Sequence, residues 1–385
     1  MSNSLSNSLS SSLSNQGRPE LQEILDEIVE SGITGITLRV RDRRGEWVGS
    51  AGAGRLGGDE KPPVDGHVRI GSNTKTFTAA LVLALVGEGR IGLDDAVAGL
   101  LPEFDVDPRV TVRMLLQHTS GIFNFTGEYY EDGTVVPGIP ATTAGKEWVD
   151  NRFTTYPPQD LVRLALSKPA RFEPGEGWSY SNTNYVLARL LIEKATGRPV
   201  AEEMRRLITE PLGLSGTTAP STGPDIAEPH AHAYYRYEED GVEHTVDVTR
   251  LNPSWISSGG DMISTSRDLE TFLHALVTGR LLPAELLAEM CAPRPTPAPG
   301  MGYGLGVFVQ DVGDGSTVIT HNGGAAGHAA LMYATPDGAT TLTGTLNYVD
   351  DATLSLAPAF QRATQRLVDA VFGAGRTGGA GRPGA

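Results

Sequence analysis

A serine and a lysine stand three positions apart in the segment Ser72-Asn73-Thr74-Lys75. Residues i and i+3 share one face of a helix, so the amine lies where it can take the proton of the hydroxyl. Burial at the positive end of a helix dipole disfavours the ammonium form of a lysine, which leaves a neutral base. The backbone N–H groups at the start of the helix can hold an oxyanion. The pattern predicts acyl transfer through an ester on Ser72.

The ordinary alternative is a serine at a helix start followed by a surface lysine, because this spacing also arises by chance. Two observations favour the chemical interpretation. The chain has five lysines against 26 arginines, and Ser72 and Lys75 are its only pair with this spacing. Residues 76–89 are apolar almost all round, so the helix that carries Lys75 is predicted to be central and buried.

A second motif, Tyr180-Ser181-Asn182, follows a segment rich in glycine and proline. A tyrosine hydroxyl near a lysine ammonium has a lowered pKa and can relay protons. The Asn182 side chain can orient the lysine or bind a substrate amide. The alternative is a loop that ends in a Ser/Asn helix cap.

A third motif, His321-Asn322-Gly323-Gly324, ends a predicted strand. His321 can supply a hydrogen-bond donor or a switchable charge beside the nucleophile. The glycines let a substrate approach the strand edge closely. The alternative is a hairpin turn with an exposed histidine.

The hydrophobic pattern predicts an α/β (α+β) fold around these motifs. It indicates an amphipathic helix over Glu20–Glu30 and a β-hairpin over Ile33–Asp42 and Glu46–Ala53. The later predicted elements are helices over Val110–His118, Pro158–Ser167, Asn184–Thr196, Val200–Leu207, Thr265–Leu276, Pro283–Met290 and Ala357–Phe372, and strands over Gly304–Gln310, Ser316–His321, His328–Ala334 and Thr340–Asn347. The simplest assembly is an antiparallel β-sheet flanked by helices, with an inserted mostly helical lobe.

One catalytic domain is predicted over residues 19–372. Its α/β lobe comprises residues 19–88 and 250–372, and its helical lobe comprises residues 89–249. The Ser/Asn/Leu-rich residues 1–18 are predicted to be a disordered tail, and residues 373–385 a flexible one.

The three motifs together resemble the serine β-lactamase and penicillin-recognising superfamily. The order S-x-x-K, Y-x-N, K/H-x-G is closest to the branch of class C β-lactamases and D-alanyl-D-alanine carboxypeptidases. Segments 115–122, 258–264 and 303–306 look like the same branch, so the resemblance covers roughly Glu20 to Phe372. It implies an antiparallel sheet with flanking helices, a helical lobe, and a site in the groove between them.

The resemblance also implies roles for the motif residues. Ser72 is acylated, Lys75 is its base, and Tyr180 passes the proton to the leaving group and activates the acceptor. Asn182 holds the acyl amide, and His321 stands where β-lactamases have a lysine. The backbone N–H groups of Ser72 and Gly324 form the oxyanion hole. Trp255 matches an aromatic residue that lines the acyl pocket of the carboxypeptidases, with an ordinary core tryptophan as the equal alternative.

The sequence departs from the carboxypeptidases where they bind the free carboxylate of the substrate. The carboxypeptidases typically read His-Thr-Gly-Thr at the third motif, and the first threonine and an arginine on a nearby strand bind the carboxylate. This chain has Asn322 and Gly324 in place of the two threonines, and Phe308 at the arginine position. A carboxylate needs a charge-assisted partner. We therefore expect substrate contacts from Asn322, Gly323 and Phe308 without a carboxylate anchor.

Three functions follow as hypotheses. The first is a serine hydrolase or transacylase acting on a small-molecule ester, amide or peptide-like substrate, with water or an amine as acceptor. The second is a D-alanyl-D-alanine carboxypeptidase with a different anchor, which a basic side chain beyond Gly324 would support. The third is a non-catalytic sensor, which predicts the loss of Ser72, Lys75 or Tyr180, and all three are present.

The composition narrows the partners. A formal net charge of -15 opposes nucleic acid and anionic membranes. We expect no cofactor and no metal, with His230 and His232 on a solvent-exposed loop and the single Cys291 as a packing residue. The N-terminal residues lack a basic region and a continuous apolar run, which predicts a cytoplasmic protein, with secretion as the alternative. The sequence sets no oligomeric state.

Overall fold

An eight-stranded sheet in which all neighbouring strands are antiparallel forms the centre of the fold. The structure is a computed structural model that describes residues 17–130, 133–139 and 144–373, so the predicted tails lie largely outside the described residues. The strands are, in spatial order, Gly45–Gly52 (β2), Gly35–Asp42 (β1), Thr341–Asn347 (β14), His328–Ala334 (β13), Ser316–Ala325 (β12), Phe308–Gly313 (β11), Met301–Tyr303 (β10) and Arg294–Pro295 (β9). The predicted antiparallel sheet, built from both ends of the chain, is confirmed.

The helices lie on both faces of this sheet and in a group of their own. They are Pro19–Glu30 (α1), Thr74–Gly87 (α2), Val97–Leu100 (α3), Val112–Leu116 (α4), Gly145–Asn151 (α5), Pro158–Leu166 (α6), Asn182–Thr196 (α7), Val200–Met204 (α8, continued by a π-helical turn over Arg205–Thr209), Glu210–Leu212 (α9), Ser266–Val277 (α10), Ala284–Cys291 (α11) and Ala357–Phe372 (α12). Helix α2 is buried almost all round, as its composition predicts.

The two faces of the sheet belong to separate hydrophobic cores. Successive side chains of a strand point to opposite faces. In β13, Leu331 and Tyr333 pack with α1 and α12, whereas Ala330 and Met332 pack with α2 and α10. Strand β12 has the same alternation, so its even- and odd-numbered side chains face different environments.

Several short strands are absent from the sequence prediction. They are Val68–Arg69 (β3), Gly127–Tyr129 (β4), Val135–Pro137 (β5), Tyr234–Glu239 (β6), Val242–Asp247 (β7), Ile263–Ser264 (β8) and Val349–Asp351 (β15). β6 and β7 form a hairpin, and β15 pairs with β6 in parallel. Many side chains of this hairpin are charged and at least partly exposed, so its sequence lacks a clear alternation of apolar and polar residues. The Tyr235 ring packs on Trp148 of α5, which is distant in sequence.

Two predicted elements are shorter than expected. The strand predicted over Gly304–Gln310 begins only at Phe308, because Gly306 adopts a φ of 80° in a turn against α2. A Cβ on Gly306 would lie 2.4 Å from that of Ala79, so this approach requires glycine. The helix predicted over Val110–His118 ends at Leu116, and His118 has a φ of 61°. The lobe boundaries at residues 88 and 249 stay predictions.

No helix in the described part of the chain is both long enough and apolar enough to cross a membrane.

Candidate active site

Ser72 lies in a short turn, Gly71–Asn73, that leads directly into α2. This places Lys75 in the first turn of the helix, with its Nζ 3.2 Å from Ser72 Oγ. The Lys75 side chain is fully buried, and burial holds the pKa of its amine well below the usual range. The structure therefore brings together a hydroxyl and an amine that loses its proton more readily than the amine of an exposed lysine.

Two carbonyl oxygens fix the orientation of the Lys75 amine. Nζ donates to Asn182 Oδ1 and to the backbone oxygen of Gly259, both at 2.7 Å. The Asn182 amide in turn donates to Thr126 Oγ1 at 3.2 Å. Orientation of the lysine is one of the two functions expected for Asn182. Sequence reasoning missed the Gly259 carbonyl, because a backbone acceptor leaves no mark in the residue types.

The Tyr180 hydroxyl lies beside Ser72, and its ring centroid lies 4.6 Å from Lys75 Nζ. Burial raises the pKa of the Tyr180 phenol above its usual value. The lowered pKa expected from a neighbouring ammonium is therefore wrong, because Lys75 is itself desolvated. Tyr180 stays a protonated phenol, which suits it to donate a proton and to take one in exchange.

His321 lies in β12 on the nucleophile side, and it is almost completely buried. Its Nδ1 contacts the Asn322 backbone oxygen at 2.9 Å, and its Nε2 lies 3.4 Å from the Tyr303 hydroxyl. Burial, reinforced by the nearby Lys75, lowers the pKa of His321 to about 3. The imidazole is therefore a neutral donor rather than a switchable charge, and it is not an exposed turn residue.

The two glycines of the third motif differ in the space that a side chain would have. A Cβ on Gly323 would lie 2.1 Å from the Ile70 oxygen and 2.5 Å from Ser72 N, so the strand packs backbone to backbone against the nucleophile turn. A Cβ on Gly324 would meet nothing closer than 3.6 Å. Gly324 therefore leaves room for a substrate beside the strand, as expected. At Gly323 the missing side chain instead lets the strand pack closely on the turn that carries Ser72. The Gly324 backbone lies against Gly71, the residue before Ser72.

The remaining predicted contacts lie further from Ser72. Asn322 faces the opposite side of the sheet, where its amide donates to the Tyr333 hydroxyl at 2.5 Å, so a direct contact with an acyl group on Ser72 is not supported. Phe308 lies beside His321, with ring centroids 5.3 Å apart. Trp255 is half-buried and lines a small cavity with Tyr156 and Leu251, and no described contact joins it to the nucleophile.

His118 is a buried residue of the site that sequence reasoning did not single out. Its Nδ1 accepts from the Ser181 N–H at 3.2 Å and from the Asn184 amide at 3.1 Å, so Nε2 carries the proton. Its ring packs 4.4 Å from that of Tyr180, centroid to centroid. His118 therefore positions the segment that carries Tyr180 and Asn182. Its place in segment 115–122 was visible in the sequence, but no spacing marked the role.

The other candidate ligands are engaged elsewhere. His230 and His232 are half-buried rather than solvent-exposed, and His232 contacts Asp247 at 2.7 Å. Within the described residues, no group of three or more His, Cys, Asp or Glu side chains could hold a metal ion. Cys291 packs at the edge of the larger core, where burial raises the pKa of its thiol to about 11.

A family model described as beta-lactamase matches residues 21–364. The chain belongs to the beta-lactamase family. The match covers Ser72, Lys75, Tyr180 and His321.

Three relatives illustrate the range of this family. The solved structure of a D-stereospecific amidohydrolase from Streptomyces sp. is 38% identical, with a TM-score of 0.79 over 92% of this chain and 98% of that one. A penicillin-binding protein of Bacillus subtilis (strain 168) is 28% identical over 295 residues, which are 73% of this chain and 61% of the relative. Esterase EstB of Burkholderia gladioli is 30% identical over 251 residues, which are 57% of this chain and 59% of the relative. The chain thus spans about three fifths of the length of these two relatives.

Proposed function

We propose that this protein is a serine acyl-enzyme hydrolase or transacylase that acts on an ester or amide of a peptide-like small molecule through acylation of Ser72. The observation that carries the proposal is the Lys75 amine, which is fully buried and held by two carbonyl oxygens. The names of the relatives, an amidohydrolase and an esterase among them, agree with this substrate class.

The geometry accounts for activation of the nucleophile. A neutral amine has two N–H bonds, and Asn182 Oδ1 and the Gly259 oxygen accept both. Its lone pair is then directed at Ser72 Oγ, 3.2 Å away. As Oγ forms a bond to the acyl carbon, its proton passes to Lys75 Nζ. The electron pair of the substrate C=O moves onto oxygen, where the N–H groups of Ser72 and Gly324 stabilise it.

The two remaining proton transfers involve Tyr180. When the bond between the acyl carbon and the leaving group breaks, the Tyr180 hydroxyl donates its proton to the departing nitrogen or oxygen and regains one from Lys75. In the second half, water or an amine adds to the acyl carbon and gives up a proton along the reverse path. The bond to Oγ then breaks, Oγ takes that proton, and the product is an acid or an amide.

The absence of a carboxylate anchor separates this proposal from a carboxypeptidase. Phe308 stands where the family resemblance leads one to expect arginine, and its ring packs on Tyr303 and His321. The described residues that line the cavity beyond Gly324 include no lysine, arginine or histidine. A terminal carboxylate would therefore lack a charge-assisted partner.

Intact mass spectrometry tests the proposal. We expect an N-acyl-D-amino acid methyl ester to add the mass of its acyl group to the protein, with Ser72→Ala abolishing the adduct. The exposed Ser167→Ala is the matched control and should behave as wild type. Excess amine then distinguishes transfer from hydrolysis by the ratio of amide to acid product. An adduct that persists in Ser72→Ala, or none in the wild type, would overturn the proposal.

A further inference from the structure

A cavity of about 240 Å³ lies across β12 from the nucleophile. It is bounded by three segments that are distant in sequence, namely Ile33, residues 322–329 and residues 348–360. Its apolar wall includes Leu354, Leu356 and Phe360. Because close-packed interiors have few voids larger than a water molecule, this volume makes it a candidate binding pocket rather than a packing defect. We call it the Asp350 cavity.

Two polar groups of the Asp350 cavity, the Asp350 carboxylate and Asn322 Oδ1, are hydrogen-bond acceptors, and the Tyr348 hydroxyl can accept or donate. Asp350 is half-buried, and the only partners of its carboxylate among the described residues are the backbone N–H groups of Asp351 and Gly327. Asn322 Oδ1 is buried without a hydrogen-bond partner. The Tyr348 hydroxyl makes no hydrogen bond to any described residue and lies 3.6 Å from the position of a Cβ on Gly324. Unpaired buried acceptors are costly, so they point to a ligand that brings donors.

The charge of the cavity is also one-sided. No lysine, arginine or histidine is among its described lining residues, and Asp350 forms no ion pair with any described residue. The nearby Arg236 contacts Asp351 instead, at 2.8 Å. A carboxylate placed in this cavity would be repelled by the Asp350 carboxylate, with no positive charge among the described lining residues to offset the repulsion. An amine or carboxamide would instead donate a hydrogen bond to Asp350.

The cavity adjoins the acyl site through two residues that have no side chain. Gly323 and Gly324 line it, and the same two glycines border the nucleophile turn. An oxyanion held by the Gly324 N–H lies about 3 Å from that nitrogen. A group attached to the same carbon would enter the cavity past Gly324, where no atom of the described residues lies closer than 3.6 Å to the Cβ position.

We propose that the Asp350 cavity holds the leaving group, or the incoming acceptor, and that it selects apolar groups bearing an amine or carboxamide N–H over those bearing a carboxylate. This inference rests on the acyl transfer proposed above. It specifies the chemistry of the leaving group or acceptor, which the residues around Ser72 and Lys75 do not define.

The test uses three substrates with one acyl group, N-acetyl-D-phenylalanine. They are its methyl ester, its dipeptide with D-leucine amide, and the same dipeptide with a free carboxylate. We expect the wild type to acylate from the carboxamide at least about tenfold faster than from the carboxylate. In Asp350→Asn this ratio should fall about tenfold, mainly because the carboxylate substrate improves. Asp240→Asn, at the exposed turn between β6 and β7, removes the same charge far from the cavity and should leave the ratio unchanged.

The methyl ester separates the two possible failures, because methanol is too small to need the cavity. Acylation by the ester with an equal or inverted carboxamide preference in the wild type would overturn the Asp350 assignment alone. An unchanged ratio in Asp350→Asn would do the same. No acylation by any of the three substrates would overturn the proposed function and this inference with it.

Discussion

Strand β12 separates two polar regions that differ in how their groups are partnered. On the nucleophile side, Lys75 Nζ contacts three oxygens, and both ring nitrogens of His321 have partners. In the Asp350 cavity, Asn322 Oδ1 and the Tyr348 hydroxyl have none among the described residues. The Lys75 amine and the His321 ring are thus partnered without a ligand, although the buried His118 Nε2 behind Tyr180 has no hydrogen-bond partner in the described part of the chain, whereas the acceptors of the cavity are not.

This difference assigns a different task to each region. Groups that are already fixed need no reorganisation during the reaction, which is how a site stabilises developing charge. Polar groups without a hydrogen-bond partner discriminate between ligands, because a ligand that cannot bond to them leaves them unpaired. Damage to the Lys75 cluster should therefore abolish turnover for every substrate, whereas damage to the cavity should change only the choice among substrates.

The largest expected effect is that of Lys75→Met, which keeps an unbranched buried side chain but removes the base. We expect kcat/KM for the methyl ester to fall about 10³-fold, within the range for loss of a general base. The exposed Lys168→Met is the matched control. Equal losses for the ester and for both dipeptides would support the comparison. A loss confined to one dipeptide would contradict it.

The pH dependence gives an independent measurement of the same lysine. Because only the neutral amine is a base and burial lowers its pKa, kcat/KM should rise with pH through that lowered pKa and level off above it, at a pH below the ordinary lysine pKa. Between the lowered pKa and the ordinary lysine pKa the unfolded protein binds this proton and the folded protein does not, so the free energy of unfolding should rise with pH over that interval. Lys75→Met should reduce that slope in the pH range just below the ordinary lysine pKa of about 10.4. An unchanged slope would mean that Lys75 is charged in the folded protein.

The sequence predicted the Lys75 cluster better than the cavity for a physical reason. Ser72 and Lys75 are one helical turn apart, and Tyr180 and Asn182 are two residues apart, so residue types and spacing define most of the chemistry. The Asp350 cavity joins Ile33 to residues 322–329 and 348–360, and nothing in the spacing of these segments marks their meeting. The position of Asp350 depends on the parallel pairing of β15 with β6, two strands that the sequence did not predict.

The next largest effect should distinguish the two glycines that join the regions. In Gly323→Ala the new Cβ would clash with backbone atoms of Ile70 and Ser72, which cannot move aside as a flexible side chain would. We expect destabilisation by about 1–3 kcal/mol from overpacking. We also expect kcat/KM to fall about 10²-fold, because a displacement of about 1 Å at the nucleophile has that cost.

Gly324→Ala is the stability control for this substitution. Its Cβ would meet no atom closer than 3.6 Å, so the free energy of unfolding should stay within about 0.5 kcal/mol of wild type. Denaturant unfolding of the two variants measures the difference directly. Equal destabilisation by both substitutions would mean that β12 does not pack on the nucleophile turn as described.

The smallest effect is expected for His321→Gln, and it tests whether the nucleophile side carries a second switchable charge. The imidazole is neutral because burial lowers its pKa to about 3, and a glutamine amide can donate as the neutral ring does. We expect kcat/KM for the methyl ester to fall less than about tenfold, in keeping with the loss of one modest hydrogen bond. The acid limb of the pH profile should stay where Lys75 sets it, and His274→Gln, distant from the cluster, is the matched control. A limb near the ordinary histidine pKa that disappears in His321→Gln would show a charged His321, and the fixed, neutral cluster inferred here would then be wrong.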